Sequence, residues 1–297
     1  MYRLYKLLES LPLTVLYGLA SVGAWLLESV FRYRVAVVNE NLARAFPEKS
    51  AAERAAIRHA FYRGLADTTV EIIAGNRFSL EQFRQHLTIN NVDLLRQLSD
   101  NGGRSIIVMT LHQGNWEWML HRSTAEYAID QAFIYKTLHN AGADRYSLEA
   151  RTRFGSDPIE MRRASRDMVR NRRRPRIIYT IADQSPGNRE RVYWTEFLHQ
   201  PTAFFAGSAA LARATGYPVA FAGCERTGRG QYAIDLHLIT DDPKSLTEEE
   251  ITERYVRLAE ASIRKSPADW LWTNRRWKRQ PPESSPRDQA ATPDSSS

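Results

Sequence analysis

Apolar residues recur along this chain in two rhythms, and the change between them divides it. Across residues 39–73 they return at helical spacing, with Ile57, Phe61 and Leu65 sharing one face. Pro47 interrupts that stretch, and Ser50 with Glu53 forms the signature of a capping box opening the next helix. From residue 86 the texture changes to short β-branched runs separated by helical segments. Residues 104–110, 131–135, 176–182 and 218–224 are nearly continuous in apolar side chains, as strands covered on both faces are. Residues 231–239 alternate apolar with polar and predict a later or edge strand. Between these runs, residues 115–127, 140–153, 163–172 and 206–215 predict helices, as do 247–265. The alternation predicts an α/β fold, a central mixed or parallel sheet flanked by helices, with no internal repeat. Residues 280–297, "QPPESSPRDQAATPDSSS", are rich in Pro and Ser without an aromatic and predict a disordered tail.

The N-terminus has a different pattern. Residues 11–31, "LPLTVLYGLASVGAWLLESVF", carry one charge, Glu28, and reach the roughly 20 residues that a spanning helix needs. Ser10, Pro12, Thr14, Ser21 and Glu28 weaken it as a span, and Val30-Phe31-Arg32 offers no small-residue cleavage site. Arg3 and Lys6 before the run, with Arg32 and Arg34 after it, suit anionic headgroups. We read residues 1–34 as a hydrophobic anchor helix, embedded in a membrane or lying at its interface. Residues 35–279 then form the functional domain, held in the cytoplasm. The competing reading of the run is a buried core helix.

Composition adds bounds rather than chemistry. With 43% apolar and 25% charged residues the chain is globular, not disordered. A net charge of +7 favours anionic partners: nucleic acid, anionic lipid, or an acidic substrate or carrier protein. The one cysteine, Cys224, allows no internal disulfide and fits a reducing compartment. Cys and His are not clustered at zinc spacing, which argues against a structural metal site.

Candidate chemistry begins at "MTLHQGNWEW", residues 109–118. The strand predicted at 104–110 leads into a turn at 112–114, and Asn115 is a good N-cap for the following helix. Glu117 then falls in the first helical turn, where a carboxylate also suits the helix dipole. On an unbroken helix, five positions would turn His112 and Glu117 about 140° apart. Gly114 permits a turn that folds His112 back toward Glu117. A carboxylate on one ring nitrogen fixes the tautomer and leaves the other nitrogen as a base. The alternative is a loop histidine and a helix-start carboxylate with no shared task.

Other stretches accompany this one. "HQGNWE" after a strand, behind a hydrophobic N-terminal segment and "NLARAFPE" (41–48), resembles the bacterial lipid A late (secondary) acyltransferase family. "SLEARTRFG" (147–155), "ADQSPG" (182–187) and "DWLWTNRRWKRQP" (269–281) extend the resemblance, in the expected order, over roughly residues 5–281. It implies a glycerolipid-acyltransferase-like fold at the cytoplasmic face of the bacterial inner membrane. It also implies transfer of a fatty acyl chain from an acyl-carrier-protein thioester, or from acyl-CoA, to a hydroxyl of a lipid acceptor, foremost a lipid A precursor. Carried onto this chain, His112 is the general base and Glu117 its partner. Arg153 (or Arg151) would hold an anionic group, and Asp183 would sit in a second loop that binds substrate. No metal or organic cofactor is implied, because the thioester already carries the activation for transfer. The implied partners are acyl carrier protein, the lipid acceptor and the membrane, and not nucleic acid. One departure bears on the acceptor. Where a Phe-Phe-Gly-like element is expected, the chain reads "TEFLHQPTAFFAG", with Leu198-His199 after Phe197, which leaves a lysophospholipid or another glycolipid open.

Several decoys carry less. "RNRRRPR" (170–176) has no nucleic-acid motif beside it and reads as a solvated or lipid-facing basic loop. Gly207-Ser208 lacks the G-x-S-x-G of a serine-hydrolase elbow, and His121 has no further ligands at metal spacing. The tryptophans at 270–277 predict packing of a C-terminal helix, a place at a membrane interface, or both. A non-catalytic polyanion- or lipid-binding protein is the alternative in a different class; a greasy cleft beside His112 would speak against it.

Overall fold

The computed structural model describes residues 2–187 and 190–281, so most of the predicted tail lies outside the described residues. The strands are β1 (Leu87–Asn90), β2 (Ile106–Thr110), β3 (Asp130–Tyr135), β4 (Asp157–Glu160), β5 (Arg176–Ile181), β6 (Val192–Phe197), β7 (Gln200–Phe205), β8 (Val219–Gly228) and β9 (Gln231–Thr240). The first six helices are α1 (Tyr2–Leu8), α2 (Leu13–Trp25), α3 (Val35–Ala45), α4 (Ala51–Gly75), α5 (Leu80–His86) and α6 (Asp93–Leu98). They are followed by α7 (Trp116–Glu126), α8 (Ala141–Thr152), α9 (Ala164–Arg170), α10 (Gly207–Thr215) and α11 (Glu248–Lys265).

Seven strands form one mixed sheet in the order β1-β9-β8-β2-β5-β3-β4. β8, β2, β5, β3 and β4 run in one direction, while β9 pairs antiparallel to β8 and β1 joins β9 in parallel. The five hydrophobic runs are all strands. β9 is later in sequence but not an edge, because the short strand β1 covers it. The period of two along β2 sends Ile107 and Met109 into one core with Phe221, Tyr255 and Trp272. Ile106 and Val108 face the other core, with Phe83, Trp118, Ile177 and Tyr179. β6 and β7 form a separate hairpin whose turn residues, Leu198 and His199, both have positive φ, at 52° and 62°.

Local signals account for the helix starts. Ser50 and Glu53 form the predicted capping box of α4, and Thr247 with Glu250 forms another at α11. The apolar run near the N-terminus is not a core helix. A π-helical turn, Leu26–Val30, extends α2, and between Leu13 and Val30 only Leu16, Ala20 and Ala24 are buried. Ala20 and Ala24 lie on Ala66 and Val70 of α4, and Leu16 joins the core that holds Phe83 and Trp118.

Candidate active site

Two neighbouring strands bring the site together. β2 and β5 are parallel, with Thr110 opposite Ile181. His112 and Asp183 each lie two residues past a strand end, so the register sets them side by side. Ligands of open α/β sheets bind at such carboxyl ends. His112 Nδ1 and Asp183 Oδ1 are 2.7 Å apart. Asp183 Oδ2 accepts from the His112 backbone N–H at 2.9 Å and from Trp270 Nε1 at 2.7 Å. Burial pushes the Asp183 carboxyl up, but the imidazole and these hydrogen bonds outweigh it and hold the group below its ordinary range. An ionised Asp183 accepts the Nδ1 proton and leaves Nε2 of His112 as the free basic nitrogen, which the side-chain nitrogen of Gln184 approaches at 3.3 Å.

The turn that carries His112 is braced from all sides. Gly114 has φ +57°, and a Cβ there would lie 2.4 Å from the Cys224 carbonyl oxygen, so only glycine fits. Gly114 N–H donates to Asp269 O at 3.1 Å, and Leu271 N–H donates to His112 O at 3.0 Å. The buried Gln113 side chain exchanges hydrogen bonds with Ser262, at 3.0 and 2.6 Å. Asn115 caps α7 through Trp118 N–H and donates to the fully buried Glu71 at 3.1 Å. A recess lined in part by Phe61, Leu65, Trp116 and Leu271 opens beside this turn. The Trp116 ring meets the His112 imidazole edge-on at 5.1 Å.

Glu117 corrects the sequence reading. It makes no hydrogen bond to His112. Its carboxylate instead takes a two-pronged ion pair from Arg151, with Nε to Oε2 at 2.7 Å and Nη2 to Oε1, and accepts from Trp116 Nε1 at 3.1 Å. Burial raises the Glu117 carboxyl, yet Arg151 holds it below the usual range. The carboxylate that orients His112 therefore comes from the next strand, not from the first turn of α7. Asp183, read as a substrate contact, is fully enclosed and spends its oxygens on His112 and Trp270. Arg153 donates to the Gly75 and Phe78 carbonyls at 2.7 and 2.6 Å, so these two hydrogen bonds tie α4 to the end of α8.

Bacterial lipid A biosynthesis acyltransferase is the description of the family that matches residues 2–279. The chain belongs to this family. Among its relatives is a lipid A biosynthesis acyltransferase of Haemophilus influenzae, 22% identical over 289 residues, covering 95% of this chain and 90% of the relative. The protein is accordingly an acyltransferase, and the family's acceptors are lipids.

Membership explains why separated motifs meet. Asn41 of "NLARAFPE" donates to the Trp272 and Asn274 carbonyls, each at 2.8 Å, and so fixes the C-terminal segment that braces His112. That segment is not a helix, and Trp270, Trp272 and Trp277 are buried, which removes them from a membrane interface. The sequence reading missed Gln184, the Trp270 bond to Asp183, and Glu71. The last accepts from Tyr17, Asn115, Arg226 and Tyr232 together. A glutamate inside an apolar helical face was the available signal for Glu71.

Proposed function

We propose that this acyltransferase moves a fatty acyl chain from an acyl-carrier-protein thioester to a hydroxyl of a lipid A precursor, at the cytoplasmic face of a bacterial inner membrane. The observation that carries the chemistry is the 2.7 Å contact between His112 Nδ1 and Asp183. With Nδ1 protonated toward Asp183, Nε2 takes the proton of the acceptor hydroxyl as its oxygen attacks the thioester carbonyl. The carbon–sulfur bond then breaks, and the same proton passes to the departing thiolate, giving an ester and a free thiol. The amides of residues 112–114 are committed to Asp183, Leu111 and Asp269, which leaves the developing oxyanion to another donor. Gln184, next to Nε2, is our candidate. The thioester supplies the activation, so no metal or organic cofactor is needed.

The donor assignment draws support from charge. Arg162 just before α9, Arg166 and Arg170 on it, and Arg172 and Arg173 after it are exposed, with no carboxylate partner among the described residues. α9 packs through Ala164 and Met168 on the sheet face that carries Ile178 and Ala132. An exposed arginine cluster of this kind suits an acidic partner such as a carrier protein.

The test uses purified full-length protein with acyl carrier protein charged with a fatty acid, acyl-CoA, a lipid A precursor and a lysophospholipid. Mass spectrometry should find one added acyl chain on the lipid A precursor, at the highest rate from the carrier thioester. Acylation of the lysophospholipid alone would overturn the acceptor, and equal turnover from acyl-CoA would overturn the donor.

A further inference from the structure

The apolar run Leu13–Val30 is tied to the folded domain at its start, middle and end, always along one side. Before it, Tyr5 stacks on Tyr146 of α8 with ring centroids 4.8 Å apart, and Tyr146 donates to Glu9 at 3.2 Å. In the middle, Tyr17 donates to Glu71, while Arg229 reaches the Tyr17 carbonyl and the Ser21 hydroxyl at 2.9 and 3.0 Å. At the end, Glu28 pairs with Arg58 and His59 of α4 at 2.9 and 2.8 Å. Val35 and Val38, just beyond, are buried in the core.

Helical geometry turns the opposite side outward. Leu16, Ala20 and Ala24 are buried, with Ala20 and Ala24 on α4, and at 100° per residue Val15, Leu19 and Val22 project away from it, with Trp25 beside them; all four are exposed. Phe31 and Tyr33 continue the exposed apolar surface, and the exposed Arg3, Lys6, Arg32 and Arg34 bound it at both ends. Aromatic and basic residues at the margins of an apolar stripe match the headgroup zone of an anionic bilayer.

We propose that this run lies flat in the interfacial layer of an anionic membrane and does not cross it. The proposal rests on the reading of this acyltransferase as a membrane enzyme and adds its orientation. A crossing helix would place α1 and α3 on opposite sides of the bilayer, yet both pack on the same domain. It would also carry α4 into the hydrocarbon, with Arg58, His59, Arg63 and Asp67 along its length. Such charges are expelled from that layer unless they line a protein interior or a water-filled cavity. Lying flat, the helix keeps α4 on the water side and buries only its outward stripe.

Sidedness of labelling tests this. Ser10→Cys and Ser29→Cys, made separately in the full chain, alter exposed positions at the two ends of the run. Cys224 is buried, and its thiol is pushed up to about 12 by burial, so it stays silent. In sealed inverted and right-side-out membrane vesicles, a membrane-impermeant maleimide should label both cysteines from the cytoplasmic side only. Labelling of the two from opposite sides would overturn the flat orientation while keeping the membrane reading. Recovery of the protein in the soluble fraction would remove both. A Val22→Cys variant addresses the remaining occupant: cross-linking between two copies that persists on dilution into excess lipid would assign the face to a second chain, and its absence supports the bilayer.

Discussion

At the scale of single residues, the reading turns on Asp183. Its carboxylate can only accept, so it fixes the His112 proton on Nδ1. Asp183→Asn replaces one oxygen with a donor and favours the other tautomer, leaving Nε2 protonated and unable to act as a base. The expected loss in kcat is on the order of 10³- to 10⁴-fold, matching His112→Ala, with the fold retained by circular dichroism. Additive losses in the double variant would deny that the two act as a unit. His121 gives a second residue-scale prediction. It is buried against Phe83 and Phe154, and burial, helped by Arg153 and Arg151, holds its pKa down at about 4 despite Glu117. Between about pH 6.5 and 4 the unfolded chain binds a proton that the folded one refuses, so stability is full above this window and falls by up to about 3 kcal/mol through it. His121→Phe should flatten that part of the pH–stability curve, measured by urea unfolding, and an unchanged slope would refute the assignment. The sequence made His112 conspicuous, as a histidine directly after a buried strand. Its partner was not, since spacing along the chain says nothing about which strand lies alongside.

Between elements, Glu117 and Arg151 join α7 to α8. The pair is mostly enclosed, with 16% and 24% of the side chains exposed, so it lies between surface and buried cases. Losing either member should cost about 1–3 kcal/mol, and the double variant Glu117→Gln/Arg151→Gln should cost less than the sum. The low carboxyl pKa means this contribution is present above the ordinary carboxylate range and fades as pH falls below about 4. A double-mutant cycle in chemical unfolding measures the coupling; a value near zero would leave the ion pair without structural weight. Elements of five or more residues with clear apolar periodicity were legible, among them β2 and α11. β1 and β4, four residues each, were not, because Leu87-Thr88-Ile89-Asn90 and Asp157-Pro158-Ile159-Glu160 take their strand form from their neighbours. The β6–β7 hairpin escaped notice because its turn is Leu198-His199, not the Asn-Gly that positive φ usually selects.

For the whole molecule, the exposed arginines on and around α9 are the surface to test for the acyl donor. Arg166→Glu with Arg170→Glu should raise KM for the acyl-carrier-protein donor on the order of tenfold and leave acyl-CoA turnover unchanged, with the difference shrinking as salt is added. An equal rise for both donors would move the carrier elsewhere. Charge totals favoured an anionic partner without saying where it would sit. The brace on the catalytic turn has a consequence for how the protein is made. Synthesis runs from the N-terminus, and Asp269, Trp270 and Leu271 leave the ribosome long after His112 and Asp183. A nascent chain of 268 residues already holds His112, Asp183 and the apolar helix, but none of the three bonds that residues 269–271 supply to the turn and to Asp183. In the membrane orientation proposed above, the helix settles on lipid before the site is assembled, and a chain released early by a broken message would be delivered there inert.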